Sequence, residues 1–163
     1  MKGVVVHVER RRPIRASADE VWKWMCDPRG LALFRANLFH ADAKGEDQEL
    51  RVGSQVRVEH HLGIRRELRI ARISTLRPFE IAWSEVRADG RDWFPHHQKF
   101  VLTPLGDRTC ELHNTLRGTF NLRGARWWLV SWYRYVLPLV LDLENRRIAS
   151  ATEGPVRYPD ASG

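Results

Sequence analysis

The sequence predicts an α+β domain in which one strand and two short helices precede an antiparallel meander of about six strands and a long C-terminal helix. Three patterns predict this order: a helix-capping sequence at residues 17–20, alternation of apolar and polar residues between positions 37 and 120, and helical spacing after Ala125. The chain has 163 residues, a length typical of one domain. We expect that domain to span residues 1–153, followed by a loose tail over residues 154–163.

The first helix is predicted from its boundaries. Ser17 is typical of a helix N-cap, and Glu20, three residues later, completes a capping box. The helix over residues 18–26 should end before Pro28, because proline disfavours the helical conformation of the residue that precedes it. A second short helix is predicted over about residues 29–34.

The strands are predicted from alternation. Between residues 52 and 62 the even positions are mostly apolar and the odd positions mostly polar, so one face of this strand should lie inside. The returning strand over residues 64–73 carries Ile64, Leu68 and Ile70 on one face, which we expect to be the buried face. Further strands are predicted over residues 4–8, 38–43, 79–83, 94–102 and 110–120.

The last element is predicted to be a helix over residues 125–152. Its apolar positions approximate an i, i+3, i+4 stripe, which we expect to face the sheet. Pro138 should kink this helix, since it removes one backbone donor and crowds the preceding turn. The stripe consists of Leu129, Trp132, Val136, Leu139, Leu143 and Ile148.

The chain is basic, with 27 Lys and Arg against 20 Asp and Glu, which gives a net charge of +7. The cations are 23 Arg and only 4 Lys, a bias that a GC-rich genome explains as well as a binding surface does. Both signs of charge are spread along the chain, as on a solvated surface. Stacking on nucleic-acid bases needs exposed aromatic residues among the arginines, whereas the tryptophans here occupy apolar stripes. We therefore expect no nucleic-acid partner.

Cysteine usage and hydropathy bear on location. Cys26 and Cys110 are the only cysteines, which favours a reducing compartment and a cytoplasmic protein. The N-terminal apolar run is far shorter than that of a signal peptide. The most apolar stretch, residues 127–143, is interrupted by Arg134 and Asp142, so we expect no stable membrane insertion.

Several fragments carry a resemblance to a known fold family. They are residues 14–22 (IRASADEVW), 27–28 (DP), 52–56 (VGSQV), 71–73 (ARI), 81–83 (IAW) and 100–106 (FVLTPLG). In these fragments and in the order of its elements, the chain resembles the helix-grip fold of the START/Bet v 1-like (SRPBCC) superfamily, including its polyketide cyclase/dehydrase branch. The resemblance implies a curved sheet that grips the long helix, with an apolar or amphipathic small-molecule cavity between them. It implies no catalytic residues, because the superfamily shares a cavity and no common catalytic motif.

Polar residues that alternate in phase with apolar ones are candidates for the cavity. A mostly apolar pocket with a few convergent polar groups is the usual form of a small-molecule site. The alternative is that these residues lie near strand ends, or that a bulge turns them outward. The candidates are His60, Arg66, Glu85, His96, Gln98 and Asn114.

Aromatic residues are a second set of candidate ligand contacts. They suit a flat or lipid-like ligand, although ordinary core packing explains them equally. They are Trp24, Phe34, Trp83, Phe94, Trp128, Trp132 and Tyr135.

The histidine pairs at 60–61 and 96–97 raise the question of a metal. Adjacent strand residues point to opposite faces, so only one member of each pair can face the pocket. Convergence of His60, His96 and Cys110 would be needed for a zinc site, and we expect no metal. No GxGxxG, P-loop or GxSxG motif is present, so no cofactor is predicted.

Three functional hypotheses follow. The first is a protein that binds a hydrophobic or amphipathic small molecule, such as a lipid, polyketide or aromatic metabolite. The second is a cyclase/dehydrase-type enzyme, with His60, His96 or Glu85 as general base and Arg66 holding an enolate or carboxylate. The third, a nucleic-acid or anionic-membrane binder, rests on the arginines at 10–12, 65–66 and 146–147 and is the least supported. The sequence leaves the ligand and the oligomeric state open.

Overall fold

The computed structural model describes residues 3–27, 31–45, 47–62, 65–121 and 127–154. Within these residues the chain forms strands and helices in the predicted order. They are β1 (Val4–Ile14), α1 (Ala18–Met25), α2 (Ala32–Ala36), β2 (His40–Gly45), β3 (Gln55–Leu62), β4 (Arg65–Arg77), β5 (Glu80–Arg87), β6 (His96–Gly106), β7 (Thr109–Phe120) and α3 (Trp127–Thr152). The predicted tail lies outside the described residues from position 155 onward.

All seven strands form one antiparallel sheet in the order β1-β7-β6-β5-β4-β3-β2. Strands β2 to β7 are a simple meander, and β1 joins its far edge beside β7. The predicted six-strand meander and the α+β class are therefore confirmed. One face of the sheet packs on α1, α2 and α3, so the helices cover the concave side.

The predicted capping box starts α1. The backbone N–H of Glu20 donates to Ser17 Oγ at 3.2 Å, and the backbone N–H of Ser17 donates to the Glu20 carboxylate at 2.9 Å. These two bonds satisfy donors that a helix start otherwise leaves free. Val21 and Met25 then project from α1 into the core.

Two apolar clusters fill the space between sheet and helices. One surrounds Trp83 and Phe100 and includes Ile148 near the end of α3. The other surrounds Phe94 and Phe120 and includes Tyr133 in the first half of α3. Polar residues lie between the two clusters, as described below.

Strand β4 buries the face opposite to the predicted one. Leu68 is 49% exposed, whereas Arg69 and Ala71 are buried. The pairing with β3 explains this, because Arg69 lies opposite the buried Val58, and directly opposed residues share one face of a sheet. The prediction that Arg66 faces inward is therefore wrong: it is exposed and pairs with Glu59 at 3.0 Å. Residues 63–64 lie outside the described part of the chain.

Helix α3 buries a stripe that shares only Ile148 with the predicted one among its fully buried residues. The side chains facing the sheet are Val130, Tyr133, Leu137, Val140, Leu141, Glu144, Asn145, Ile148 and Ala149. Trp128, Trp132 and Tyr135 are exposed, so their prediction as cavity residues is wrong. Leu139 and Leu143 of the predicted stripe are exposed as well. The helix carries apolar residues on two sides, and spacing alone cannot tell which side packs on the sheet. The Pro138 kink stays a prediction, and the side chain of Leu129 lies outside the described residues.

Across the described ranges, no helix is both long enough and apolar enough to cross a membrane.

Candidate functional site

A layer of buried polar side chains separates the two apolar clusters. Every strand from β2 to β7 contributes to it, and so does α3. Its members are His40, His60, Arg69, Glu85, His96, Gln98, Asn114, Glu144 and Asn145. Strand pairing brings them together, since His40 lies opposite His60 and Glu85 lies opposite His96.

Glu85 is the centre of this layer and has no exposed surface. Its Oε1 atom lies 2.7 Å from His60 Nε2 and 2.8 Å from Arg69 Nε. The Nε2 atom of His96 is 3.7 Å from the same oxygen. The Nε2 atom of His40 is 3.7 Å from the other oxygen, Oε2. One carboxylate is thus surrounded by three imidazoles and a guanidinium.

These contacts are close, but they are not aligned hydrogen bonds. Among the residues that the structure describes, neither oxygen of Glu85 has a partner of hydrogen-bond geometry, and the same holds for His60 Nε2 and Arg69 Nε. The short Arg69 distance therefore reflects a pair of opposite charges, and the short His60 distance a close contact, rather than directed donation. Buried polar atoms without a directed partner are uncommon in proteins and call for an explanation.

The environment keeps Glu85 ionised. Burial opposes ionisation, but the His96 and His60 rings outweigh it and hold the pKa of Glu85 well below its usual range. The Arg69 guanidinium is a permanent cation and favours the same form. Burial lowers the pKa of His40 to about 4 and also lowers the pKa of His96.

Two of the histidines are oriented by backbone carbonyls. Nδ1 of His40 lies 2.6 Å from the Phe34 carbonyl oxygen, and Nδ1 of His96 lies 3.2 Å from the Phe94 carbonyl oxygen. A carbonyl oxygen only accepts, so each Nδ1 carries the hydrogen and Nε2 is the acceptor atom of the neutral ring. Each of these Nε2 atoms lies 3.7 Å from an oxygen of the Glu85 carboxylate.

Arg69 is held by two further carboxylates. It donates to Glu67 Oε1 at 2.5 Å, to Asp92 Oδ2 at 3.0 Å and to the Phe94 carbonyl at 2.7 Å. Glu67 also accepts from the indole N–H of Trp93 at 3.2 Å. The arginine thereby connects β4, β5 and the segment before β6.

Glu144 forms the second part of the polar layer. Its Oε2 accepts from Gln98 Nε2 at 2.7 Å and from Asn114 Nδ2 at 2.8 Å, and Asn114 also donates to Asn145 at 3.1 Å. Burial raises the pKa of Glu144 from 4.5 to about 7, against the effect of these amide donors. At neutral pH this carboxyl is therefore partly protonated.

An interior cavity of about 40 Å³ lies beside Glu85. Its polar end is formed by His60, His96 and Arg69, and its apolar end by Phe94, Tyr133 and Leu137. This volume admits a few water molecules. A larger groove of about 490 Å³ opens to solvent between β1 and α3, and none of the buried histidines or carboxylates lines it.

The structure brings some of the predicted site residues together. His60, His96 and Phe94 line the cavity, and Glu85 lies directly behind the two histidines. Gln98 and Asn114 face inward but bind Glu144.

The remaining predicted contacts lie elsewhere. Phe34 and Trp83 pack against each other in the core, with ring centroids 4.6 Å apart, and Trp24 packs half-buried on the same cluster. Arg66, Trp128, Trp132 and Tyr135 are on the outside, as noted above.

Several functional candidates were missed by the sequence reasoning. Arg69 and Glu67 stand where alternation had placed the outer face of β4, and Tyr133 and Leu137 lie on the unpredicted side of α3. The only signal for His40 was its place in a weak strand. No sequence signal pointed to Glu144, although an acidic residue within a buried helix stripe is unusual.

A metal-ligand geometry exists, but not the one considered from the sequence. His40, His60 and Glu85 present ligand atoms that all lie within 4.8 Å of one another. Cys110 does not approach them: it lies eight residues along β7 from Gly118, the partner of His96, a distance of about 26 Å in a strand.

Solved structures share this architecture. A point mutant of norcoclaurine synthase from Thalictrum flavum, in complex with a transition-state analogue, has a TM-score of 0.65 at 14% identity, over 93% of this chain and 96% of that one. The Zhui aromatase/cyclase from Streptomyces sp. R1128 has a TM-score of 0.65 at 16% identity, over 91% and 92%. Protein CV1439 from Chromobacterium violaceum has a TM-score of 0.65 at 16% identity, over 91% and 98%.

These likenesses confirm the helix-grip fold that the sequence resemblance predicted. At this level of identity they show the fold alone. No protein-family model and no curated protein matches the chain.

Replacing Arg69 tests the buried charge cluster. Arg69→Met leaves Glu67, Glu85 and Asp92 without their shared cation, so we expect the free energy of unfolding to fall by about 3–5 kcal/mol. Arg66→Met removes an exposed arginine from the same strand and should change it by less than about 0.5 kcal/mol. Urea unfolding of both variants measures the difference, and equal effects would contradict the burial of Arg69.

Replacing Glu144 tests its raised pKa. In the folded protein the Glu144 carboxyl keeps its proton up to about pH 7, whereas in the unfolded chain it loses the proton near pH 4.5. The contribution of Glu144 to the free energy of unfolding therefore falls as the pH rises from 4.5 to 7, and it is constant above pH 7. Relative to wild type, Glu144→Gln should therefore gain about 3 kcal/mol between pH 4.5 and pH 8. Thermal unfolding across this range measures the difference. Asp142→Asn, on the outer side of the same helix, should keep the wild-type profile; an unchanged profile for Glu144→Gln would refute the assignment.

Proposed function

We propose that the protein binds a small molecule with an apolar, aromatic-type body and a polar head in the cavity between the sheet and α3. The observation that carries this proposal is the division of the cavity into a polar and an apolar end. The imidazole rings of His60 and His96 lie at the first end, and aromatic side chains form the second. A pocket of this kind holds the ligand by burial and orients it by a few polar contacts.

The cost of the polar layer supports the proposal. Burying Glu85 and Arg69 requires desolvation of both charges, and an apolar core of the same volume is often as stable or more stable. A domain with two well-packed apolar clusters does not need such a layer to fold. Perturbed ionisable groups next to a cavity are typical of functional sites.

The cavity is too small, as it stands, to hold a metabolite-sized ligand. Pockets for metabolite-sized ligands have volumes of about 300–1,000 Å³, so binding requires side chains of the wall to move. The apolar wall consists of Trp93, Phe94, Tyr133 and Leu137. The Trp93 and Tyr133 rings lie 5.6 Å apart, and their separation would open the cavity towards α3.

A second candidate function is catalysis in the same cavity, with His96 as general base. The observation that favours it is the position of His96, which lines the cavity and has Nδ1 tied to the Phe94 carbonyl and Nε2 3.7 Å from Glu85 Oε1. The predicted anion-holding role of Arg66 has no place here, and Arg69 is already occupied by three carboxylates. The norcoclaurine synthase and aromatase/cyclase structures support this candidate by analogy of fold only.

Filling the cavity tests the binding proposal. The fluorescent probe 1-anilinonaphthalene-8-sulfonate has an aromatic body and an anionic head, and we expect one molecule to bind per chain. Leu137→Trp, in the cavity wall, should raise its dissociation constant by more than about tenfold. Leu139→Trp, on the exposed side of the same helix, should leave it unchanged. Circular dichroism verifies folding, and equal binding by both variants would overturn the proposal.

His96→Asn tests the catalytic candidate. The asparagine amide keeps a donor near the Phe94 carbonyl but lacks the acceptor that corresponds to Nε2, so the probe should still bind. Native mass spectrometry of wild type supplies any co-purified compound, and its conversion is followed with both proteins. Loss of conversion in the variant supports a base; equal conversion by both proteins contradicts it.

A further inference from the structure

We propose that His40, His60 and Glu85 form a binding site for one divalent transition-metal ion at the closed end of the cavity. This site goes beyond the proposed function, because it depends on three side chains of the chain itself and not on the organic ligand. The residues come from β2, β3 and β5 and are all buried.

The spacing of the ligand atoms fits one ion. Four ligands around zinc at 2.0–2.1 Å lie about 3.3 Å from each other. The separation of His40 Nε2 and Glu85 Oε2 is 3.7 Å, and the ligand atoms of all three residues lie within 4.8 Å of one another. An adjustment of about half an ångström would bring the His40–Glu85 pair to this value, and His60 would move closer to Oε2.

The donor atoms are oriented for a cation. His40 donates Nδ1–H to the Phe34 carbonyl, so its Nε2 lone pair points at the lone pairs of the Glu85 carboxylate. Within the described part of the chain, neither carboxylate oxygen has an aligned hydrogen-bond donor. Two acceptors that face each other repel unless a proton or a metal cation lies between them. A backbone carbonyl behind a ligating histidine is also a common outer partner in metal sites.

The buried charges favour a divalent ion. Arg69 contributes one positive charge, and Glu67, Glu85 and Asp92 contribute three negative ones. Arg87 offsets part of this excess from the partly exposed side of Glu67, 3.6 Å away. Arg69 makes its aligned hydrogen bonds to Glu67 and Asp92 and lies against Oε1 of Glu85, which leaves Oε2 for the ion.

The donor set selects the class of metal. Two imidazoles and one carboxylate suit Zn²⁺, Fe²⁺ or Co²⁺, whereas Mg²⁺ and Ca²⁺ prefer oxygen ligands alone. Three protein ligands leave at least one coordination position free, as in catalytic zinc sites. His60 lies in the cavity wall, so the free position faces the cavity, where water or an oxygen of a bound molecule would occupy it.

The test is metal binding by the untagged, metal-free full chain. Zn²⁺ is titrated against a competing chelator, and Co²⁺ is titrated while its visible absorption is recorded. We expect one equivalent of each, with the intense absorption of four-coordinate Co²⁺. His40→Asn, His60→Asn and Glu85→Gln should each weaken Zn²⁺ binding by more than about 100-fold.

The chain offers matched controls for this experiment. His61 and His97 are the strand neighbours of His60 and His96 and point to the other face of the sheet, so His61→Asn and His97→Asn should bind Zn²⁺ as wild type does. Equal losses in these controls, or no Zn²⁺ binding by folded wild type, would overturn the metal site. Binding of the anilinonaphthalene probe to the same metal-free samples is a separate result and bears only on the proposed function.

Discussion

Glu85 has no access to water, and a carboxylate in that position is stable only where cations or donors replace its hydration. Arg69 supplies a permanent cation from β4, beside the His60 and His96 rings of β3 and β6. Arg69 is itself buried, however, and requires Glu67 and Asp92 in turn. The need of each buried charge for an opposite charge thus extends from Glu85 across the middle of the sheet. Because each partner is useful only at its own register position, the charge of Glu85 constrains how four neighbouring strands pair.

The polar layer that results divides the core. The cluster around Trp83 lies on one side and the cluster around Phe94 on the other, while Gln98, Asn114 and Glu144 continue the layer to α3. Strands hold side chains more rigidly than loops do, so groups in this layer keep their relative positions without a ligand. The cavity lies where the charged part of the layer meets the second cluster, and this explains why one end is polar and the other aromatic.

The element order, the capping box and the inward direction of His60, Glu85 and His96 could be predicted from the sequence, because apolar neighbours mark the buried face of their strands. The same rule failed in β4, where Leu68 lies outside and Arg69 lies inside. Alternation identifies the more apolar face of a strand. In a strand that buries a paired charge, the more apolar face is the exposed one. The prediction of the buried side of α3 was wrong for a related reason, because aromatic residues occupy its exposed side. Only contact with the sheet identifies the stripe with Tyr133 and Glu144 as the buried one.

His40 shows why the remainder of the site depends on the folded chain. Helix α2 has only five residues, and the Phe34 carbonyl accepts a long bond of 3.4 Å from the N–H of the C-cap residue Asn37. The His40 ring, six residues after Phe34, lies against the same oxygen with Nδ1 at 2.6 Å. A register shift between His40 and Asp42 then interrupts the regular pairing of β2 with β3, next to the point where His40 faces His60. His40 therefore contacts a carbonyl at the end of α2 with Nδ1 and faces Glu85 with Nε2. Neither contact follows from a residue pattern. The contact with the Phe34 carbonyl depends on where α2 ends, and the approach to Glu85 depends on the irregular pairing of β2 with β3. Both conditions must be met before the His40 imidazole reaches the carboxylate.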